Sequence, residues 1–319
     1  MFKGTLRLLT AAGIAIGLTT GIAQAEFPEK PITMVIPLGA GGSHDLNARV
    51  ITSTIPQYLD QAMIVRLTPG AGGQKGTQEV ANSEADGYTL LFSSNYIDML
   101  QQYVEALPYD PMTDFIPVAR INYAPIAVVV AGDSPYETMD DLIAAAKEDP
   151  GGIRMAHSGN WGALFVPAVQ IMKALDVEFN LVPYQGGGPA MQALLSGDAD
   201  VTMGFPSTLA AQVESGKVRV LATATPERIY DDVPTFAEIG VEGDVGLMHR
   251  VVLAPAGTPD DVVATLTDAF ESLGEDQTFT GMMGRLGETI DIIDGAEYQT
   301  MREEQNEEYK VLVDQLTTQ

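Results

Sequence analysis

Short apolar runs rich in β-favouring residues alternate with amphipathic stretches of helical period along nearly the whole chain, the signature of an α/β fold built mainly from parallel sheets. The runs Ile32–Pro37, Met63–Leu67, Thr89–Phe92 and Ile126–Ala131 read as strands, followed by Ile153–Ala156, Phe179–Tyr184, Val201–Met203 and Val218–Ala222. Helices fill most of the gaps. Thr138-Met139-Asp140-Asp141 has the spacing of a capping box before the apolar run Leu142–Ala146, and Thr258-Pro259-Asp260-Asp261 repeats it with proline at the first helical position. In the last segment Tyr298, Met301, Gln305, Tyr309, Leu312 and Leu316 recur three or four apart, which predicts a long amphipathic helix docked on a surface.

The first 25 residues break this pattern. Lys3 and Arg7 precede an apolar run from Leu8 to Thr20, and Ala23-Gln24-Ala25 follows, which together read as a secretory signal cleaved after Ala25. The run is too short for the roughly 20 apolar residues that cross a bilayer, and Gly13 and Gly17 interrupt it. Cleavage leaves 294 of the 319 residues, with no later apolar stretch of spanning length, so a soluble exported protein of two domains is expected.

There is no cysteine, which removes disulfides, thiolate zinc sites and cysteine nucleophiles. The formal charge of −26 becomes −28 once Lys3 and Arg7 leave with the signal. Such a field repels phosphate backbones and anionic membranes, which argues against nucleic-acid binding. It also repels a free carboxylate at long range, so any anion site must be made locally from oriented N–H groups. The acidity itself fits either a solubility role or a saline habitat.

Three strand-to-helix junctions replace an ordinary turn with glycine and small polar residues: Pro37 to Asp45, Ala156 to Gly162, and Pro183 to Pro189. Glycine lets a ligand approach the main chain, and the helix that follows aims unpaired N–H groups and its positive dipole end at the same point. Phosphate motifs come close and fail. In Gly70-Ala71-Gly72-Gly73-Gln74-Lys75-Gly76-Thr77 the lysine precedes the glycine, and in Gly39-Ala40-Gly41-Gly42-Ser43-His44 a histidine stands where a dinucleotide fingerprint needs its third glycine. Ser158 lacks the flanking glycines of a nucleophile elbow, and His44, His157 and His249 form no motif with metal spacing. Asp45 suits the first turn of a helix, and Tyr96, Trp161 and Tyr184 are either pocket walls or core.

Many ordered motifs of the chain resemble the periplasmic solute-binding proteins of tripartite tricarboxylate transporters, the Bug family. They begin with Phe27-Pro28-Glu29-Lys30-Pro31-Ile32-Thr33, Pro37 to Asp45 with Ala48-Arg49, Pro69-Gly70-Ala71-Gly72-Gly73 and Ala85-Asp86-Gly87-Tyr88-Thr89-Leu90-Leu91. They continue with Tyr109-Asp110-Pro111, Asp114-Phe115, Pro117-Val118, Val182 to Ala190, Val233-Pro234-Thr235 with Glu238 and Gly240, and Ala254 to Pro259. The resemblance implies a type II periplasmic-binding-protein fold, in which two α/β lobes close on a small mono-, di- or tricarboxylate and present it to a membrane transporter.

By the same resemblance, Gly39, Gly41, Gly42, Ser43 and Asp45 of the first loop and Ser158, Gly159, Asn160 and Trp161 of the second line the cleft, joined by Ser94, Asn95, Gln185, Gly186, Gly187 and Phe205. Leu38 stands where the family commonly has an aromatic residue, and Met248-His249-Arg250 replaces an aromatic-rich stretch, leaving His249 and Arg250 as either ligand contacts or surface residues. The expected lobes are residues 26–123 with 226–319, and residues 124–225. The expectation is a monomeric periplasmic binding protein without catalysis, cofactor or metal; a sensor module and an exported hydrolase using Ser158 are the rivals.

Overall fold

The computed structural model describes residue 1, residues 27–242 and residues 246–317. Apart from Met1, the segment read as a secretory signal lies outside the described residues. The strands in chain order are β1 (Ile32–Ile36), β2 (Met63–Leu67), β3 (Thr89–Ser94), β4 (Phe115–Pro125), β5 (Ala127–Ala131) and β6 (Arg154–His157). Then come β7 (Asn180–Pro183), β8 (Val201–Gly204), β9 (Val218–Thr223), β10 (Leu247–Pro255) and β11 (Ile293–Asp294). The helices are α1 (Ser43–Thr54), α2 (Pro56–Leu59), α3 (Gln74–Ala81), α4 (Met139–Glu148) and α5 (Phe165–Leu175). After them follow α6 (Gly187–Ser196), α7 (Pro206–Glu214), α8 (Asp260–Glu275), α9 (Gln277–Arg285) and α10 (Gly295–Thr317).

The strands form two sheets, ordered β11-β4-β10-β3-β1-β2 and β7-β6-β8-β5-β9. Both are mixed rather than mainly parallel: β1 runs parallel to β2 and β3, whereas β10 lies antiparallel to β3 and β4. In the second sheet β6 is parallel to β7 and β8, but β5 is antiparallel to β8 and β9. Side chains alternate across each sheet, so Ile32, Met34, Ile36, Leu90 and Phe92 pack with Leu266, Phe270 and Phe279 on one side, while Val35, Leu91, Val251 and Leu253 pack with Val80 and Tyr298 on the other. Burial on both faces explains why β1 and β3 read as continuous apolar runs.

Two strands escape the apolar pattern for one reason. Arg120 and Asn122 in β4, and His249 and Arg250 in β10, are all buried, so polar residues interrupt strands that are nonetheless interior. The expected boundary between the lobes, at residues 123 and 124, falls within β4. The chain leaves the first sheet at Pro125 and returns at Leu247, and the two passages lie side by side: Ile126 N–H donates to the Gly246 carbonyl at 2.9 Å, and the Ile126 carbonyl accepts Ala224 N–H at 2.8 Å.

The Thr138 capping box forms, with Asp141 N–H donating to Thr138 Oγ1 at 3.2 Å and Thr138 N–H to Asp141 Oδ2 at 2.9 Å. The second one does not. Pro259 itself occupies the cap position of α8, and the Thr258 hydroxyl turns back to donate to the Pro255 carbonyl at 2.8 Å, leaving Asp260 and Asp261 to favour the helix dipole.

The 23 residues of α10 make a rod about 34 Å long. Its first half belongs to the first sheet, with Tyr298 in the core and Arg302 paired to Asp98 at 2.6 Å, both side chains fully buried. In the second half Val313 joins the core of the second sheet, Leu312 and Leu316 pack against it, and Lys173 Nζ donates to the Gln315 carbonyl at 2.9 Å. The helix therefore bridges both sheets. At its start Gly295 lies so close to β4 that a Cβ there would overlap the Pro117 carbonyl. Gly295→Ala should cost about 1–3 kcal/mol of stability by this overpacking, measured as a shift of the urea unfolding midpoint.

Candidate ligand-binding site

Each glycine-rich junction leads into a helix whose first turn has no side-chain cap: Gly42 precedes α1, Leu164 precedes α5 and Gly186 precedes α6. All three open on one cavity of about 30 Å³ between the sheets. That exceeds the ~10–15 Å³ needed by a single water, so the gap is narrow without being filled by side chains.

Main chain meets main chain beside the cavity. Gly39 N–H donates to the Gln185 carbonyl at 2.8 Å, joining the first junction to the third. A Cβ on Gly39 would stand 2.5 Å from that oxygen, and one on Gly188 would overlap the Ala40 carbonyl and stand 2.6 Å from Gly42 N. Only residues without a side chain allow this approach. A second contact brings Gly72 to the second junction, where a Cβ on Gly159 would lie 3.3 Å from Gly72 Cα. The Gly72 carbonyl is held from behind by Gln101 Nε2 at 2.8 Å. The failed phosphate motif thus serves as a packing surface between the sheets.

Of the residues singled out in the sequence, Gly39, Gly42, Ser43, Ser94, Ser158, Gly187 and Phe205 line the cavity. The others do not line it: Asp45 and Asn95 are buried, whereas Gly41, Asn160 and Gln185 are exposed. Gly41 N–H donates to Asp45 Oδ2 at 2.8 Å and Arg49 takes Asp45 Oδ1 at 2.9 Å, so Asp45 fastens the turn of the first loop. Asn95 ties β3 to β10, donating to the Leu247 carbonyl at 3.2 Å and accepting His249 N–H at 3.0 Å. Gly159, Asn160, Gln185 and Gly186 form the contacts between the sheets, and Trp161 packs on Phe165 with ring centres 5.4 Å apart. The reading from sequence missed His44, Ile97, Leu164, Thr208 and Met248 as lining residues. The signal for His44 and Thr208 was available, since each lies in the first turn of a helix entered from a strand end.

Among the described residues no Lys, Arg, Asp or Glu side chain lines the cavity. The local potential comes from helix N-termini and from the hydroxyls of Ser43, Ser94, Ser158 and Thr208. His44 contributes no charge, because burial, with help from the nearby Arg250 guanidinium, pushes its pKa down to about 3. Its Nε2 lies 3.0 Å from the Ser93 carbonyl, which can only accept, so the proton sits on Nε2. The Ser158 hydroxyl accepts Leu164 N–H at 3.2 Å.

His249 and Arg250, left open between cleft and surface, are at neither. Both are buried in β10, His249 between the rings of Tyr123 and Tyr298. Burial, then the charge of Arg120, lowers His249 to about 4. A histidine held neutral in the fold adds stability above its unfolded pKa of ~6.5 that is lost as pH falls towards the folded value. On going from pH 7 to pH 5 the protein should lose about 2 kcal/mol more stability than its His249→Phe variant, read from urea midpoints at the two pH values.

A family model described as tripartite tricarboxylate transporter family receptor, TctC, matches residues 47–317. Protein BugT of Bordetella pertussis (strain Tohama I) is 32% identical over 269 residues, covering 82% of this chain and 82% of that protein. Among solved structures, the periplasmic binding protein BugD superposes with a TM-score of 0.86 at 28% identity, over 91% of this chain and 98% of its own. MatC from Rhodopseudomonas palustris with bound malate gives a TM-score of 0.83 at 26% identity, over 90% of this chain and 100% of its own. With two mixed sheets facing each other across glycine-built loops and a family match over most of its length, the chain belongs to the tripartite tricarboxylate transporter receptor family.

Proposed function

We propose that this protein is an exported, periplasmic binding protein that captures a small carboxylate between its two sheets and delivers it to a tripartite tricarboxylate transporter. The observation that carries the reading is the convergence of three uncapped helix N-termini on one cavity free of acidic side chains, in a chain of net charge −26. The malate held by MatC supports the ligand class. In this reading the sheets are lobes that separate about the paired passages at Ile126 and Gly246, admit the acid and close again, replacing its water with fixed dipoles. Residues 226–242 and the second half of α10 move with the second lobe, because Phe236, Val241 and Val313 pack in its core.

Mass spectrometry of the small molecule released on denaturing protein purified from its periplasmic fraction is the direct test, and a small carboxylate is the expected result. An unrelated neutral ligand, or a chemically altered one, would remove this reading. Gly42 has φ −78° and ψ 168°, extended backbone that leucine adopts freely, but a Cβ there lies 3.2 Å from Gly188 N across the gap. Gly42→Leu should therefore keep the wild-type circular dichroism and melting behaviour while losing at least ~100-fold in affinity for the released acid, which corresponds to about 3 kcal/mol by calorimetry.

A further inference from the structure

Arg250 and Arg302 are the largest fully buried side chains among the described residues, and Arg250 stands directly behind the cavity wall, bonded to the lining residue Ser43. Its five N–H donors are all used. Nη1 donates to Asn122 Oδ1 and to Glu288 Oε2, both at 2.8 Å, and Nη2 donates to Glu288 Oε1 at 2.9 Å. Nε donates to Ser43 Oγ at 3.0 Å, and Nη2 closes on the same oxygen. Glu288 is itself fully buried and completes the pair. A saturated, inaccessible guanidinium has no donor left for a ligand, so it can act on the cavity only through a neighbour.

That neighbour is Ser43, the one cavity-lining residue in direct hydrogen bond with Arg250. A hydroxyl has two lone pairs and one proton, and here Nε–H and Nη2–H of one guanidinium edge approach the oxygen from the same side. The proton therefore cannot lie towards Arg250 and must point away from it. We propose that Arg250 is a positioning residue that acts through Ser43, fixing its hydroxyl as a donor aimed into the cavity and so passing a share of its buried charge to a bound carboxylate. Glu288 holds the guanidinium in register and cancels its net charge, so the effect is confined to the one hydroxyl that touches it. The arrangement favours an acceptor group at that point, since the Ser43 proton is turned away from Arg250.

The proposal rests on the reading that the cavity takes a carboxylate, and two measurements separate the two. The first needs no ligand: a neutron crystal structure of the deuterium-exchanged protein should show the Ser43 deuterium directed into the cavity. A deuterium bonded instead to a main-chain carbonyl, such as that of Gly39, would overturn the proposal. The second is calorimetry with malate on the full mature chain. Ser43→Ala should weaken malate about tenfold, Arg250→Met combined with Glu288→Leu should do the same with the fold retained, and the triple variant should be no weaker than either. A purely structural role for Arg250 would make the two losses multiply to about a hundredfold, and that result would overturn the proposal. Arg250→Lys serves as a second probe if the paired replacement fails to fold: a lysine cannot serve both Glu288 oxygens and Ser43 Oγ with the fixed fork of a guanidinium, so malate should weaken, and unchanged affinity counts against the proposal. If the wild type binds neither malate nor any acid recovered from it, the carboxylate reading falls, and the neutron map alone decides the role of Arg250.

Discussion

The direct approach of main chain to main chain across the gap is the constraint on which the rest of the molecule depends. Gly39 and Gly188 come together as bare backbone, and so do Gly72 and Gly159, which leaves helix N-termini rather than long side chains to face the cavity. In a protein this acidic, a lysine or arginine in the gap would be the obvious way to attract an anion. Fixed dipoles achieve the same sign of potential locally, do not reorganise when the ligand arrives, and do not depend on a long-range field that here has the wrong sign.

Much of this was legible from the chain. The apolar runs of β1 and β3, and of most strands in the second sheet, were found close to their observed ends because strands buried on both faces carry an unbroken apolar signature. The three glycine-rich junctions stand out in the sequence because glycine at a strand-to-helix turn has a physical use, the close approach of main chain to a partner. What stayed hidden was long-range. β4 and β10 were not read as strands, since Arg120, Asn122, His249 and Arg250 interrupt them and nothing nearby in sequence announces that Glu288 lies opposite. Nor could spacing separate the residues that face the cavity from those one layer behind, such as Asp45 and Asn95, whose side chains turn to their own backbone surroundings.

Two buried ion pairs mark where sequence patterning fails, and they do different things. Arg302 and Asp98 fasten α10 to the helical turn Tyr96–Leu100. Arg250 and Glu288 sit where the two sheets meet: Glu288 Oε1 also accepts Ser207 N–H in the first turn of α7 at 3.2 Å, and Asn47 Nδ2 lies 3.3 Å from both Glu288 Oε1 and Ser207 Oγ. Burying a pair of charges is seldom a net gain over a well-packed apolar pair, so such pairs are better understood as fixing one geometry among several compact alternatives. Here the geometry fixed is the seat of α7 against α1.

A rod fastened at both ends permits little independent swinging. Tyr298 near one end of α10 lies in the core of the first sheet and Val313 near the other in the core of the second, so parting the sheets must either bend the helix between these grips or draw one of them out. The helix thus works as a tether that limits how far the sheets can part and returns them to one spacing.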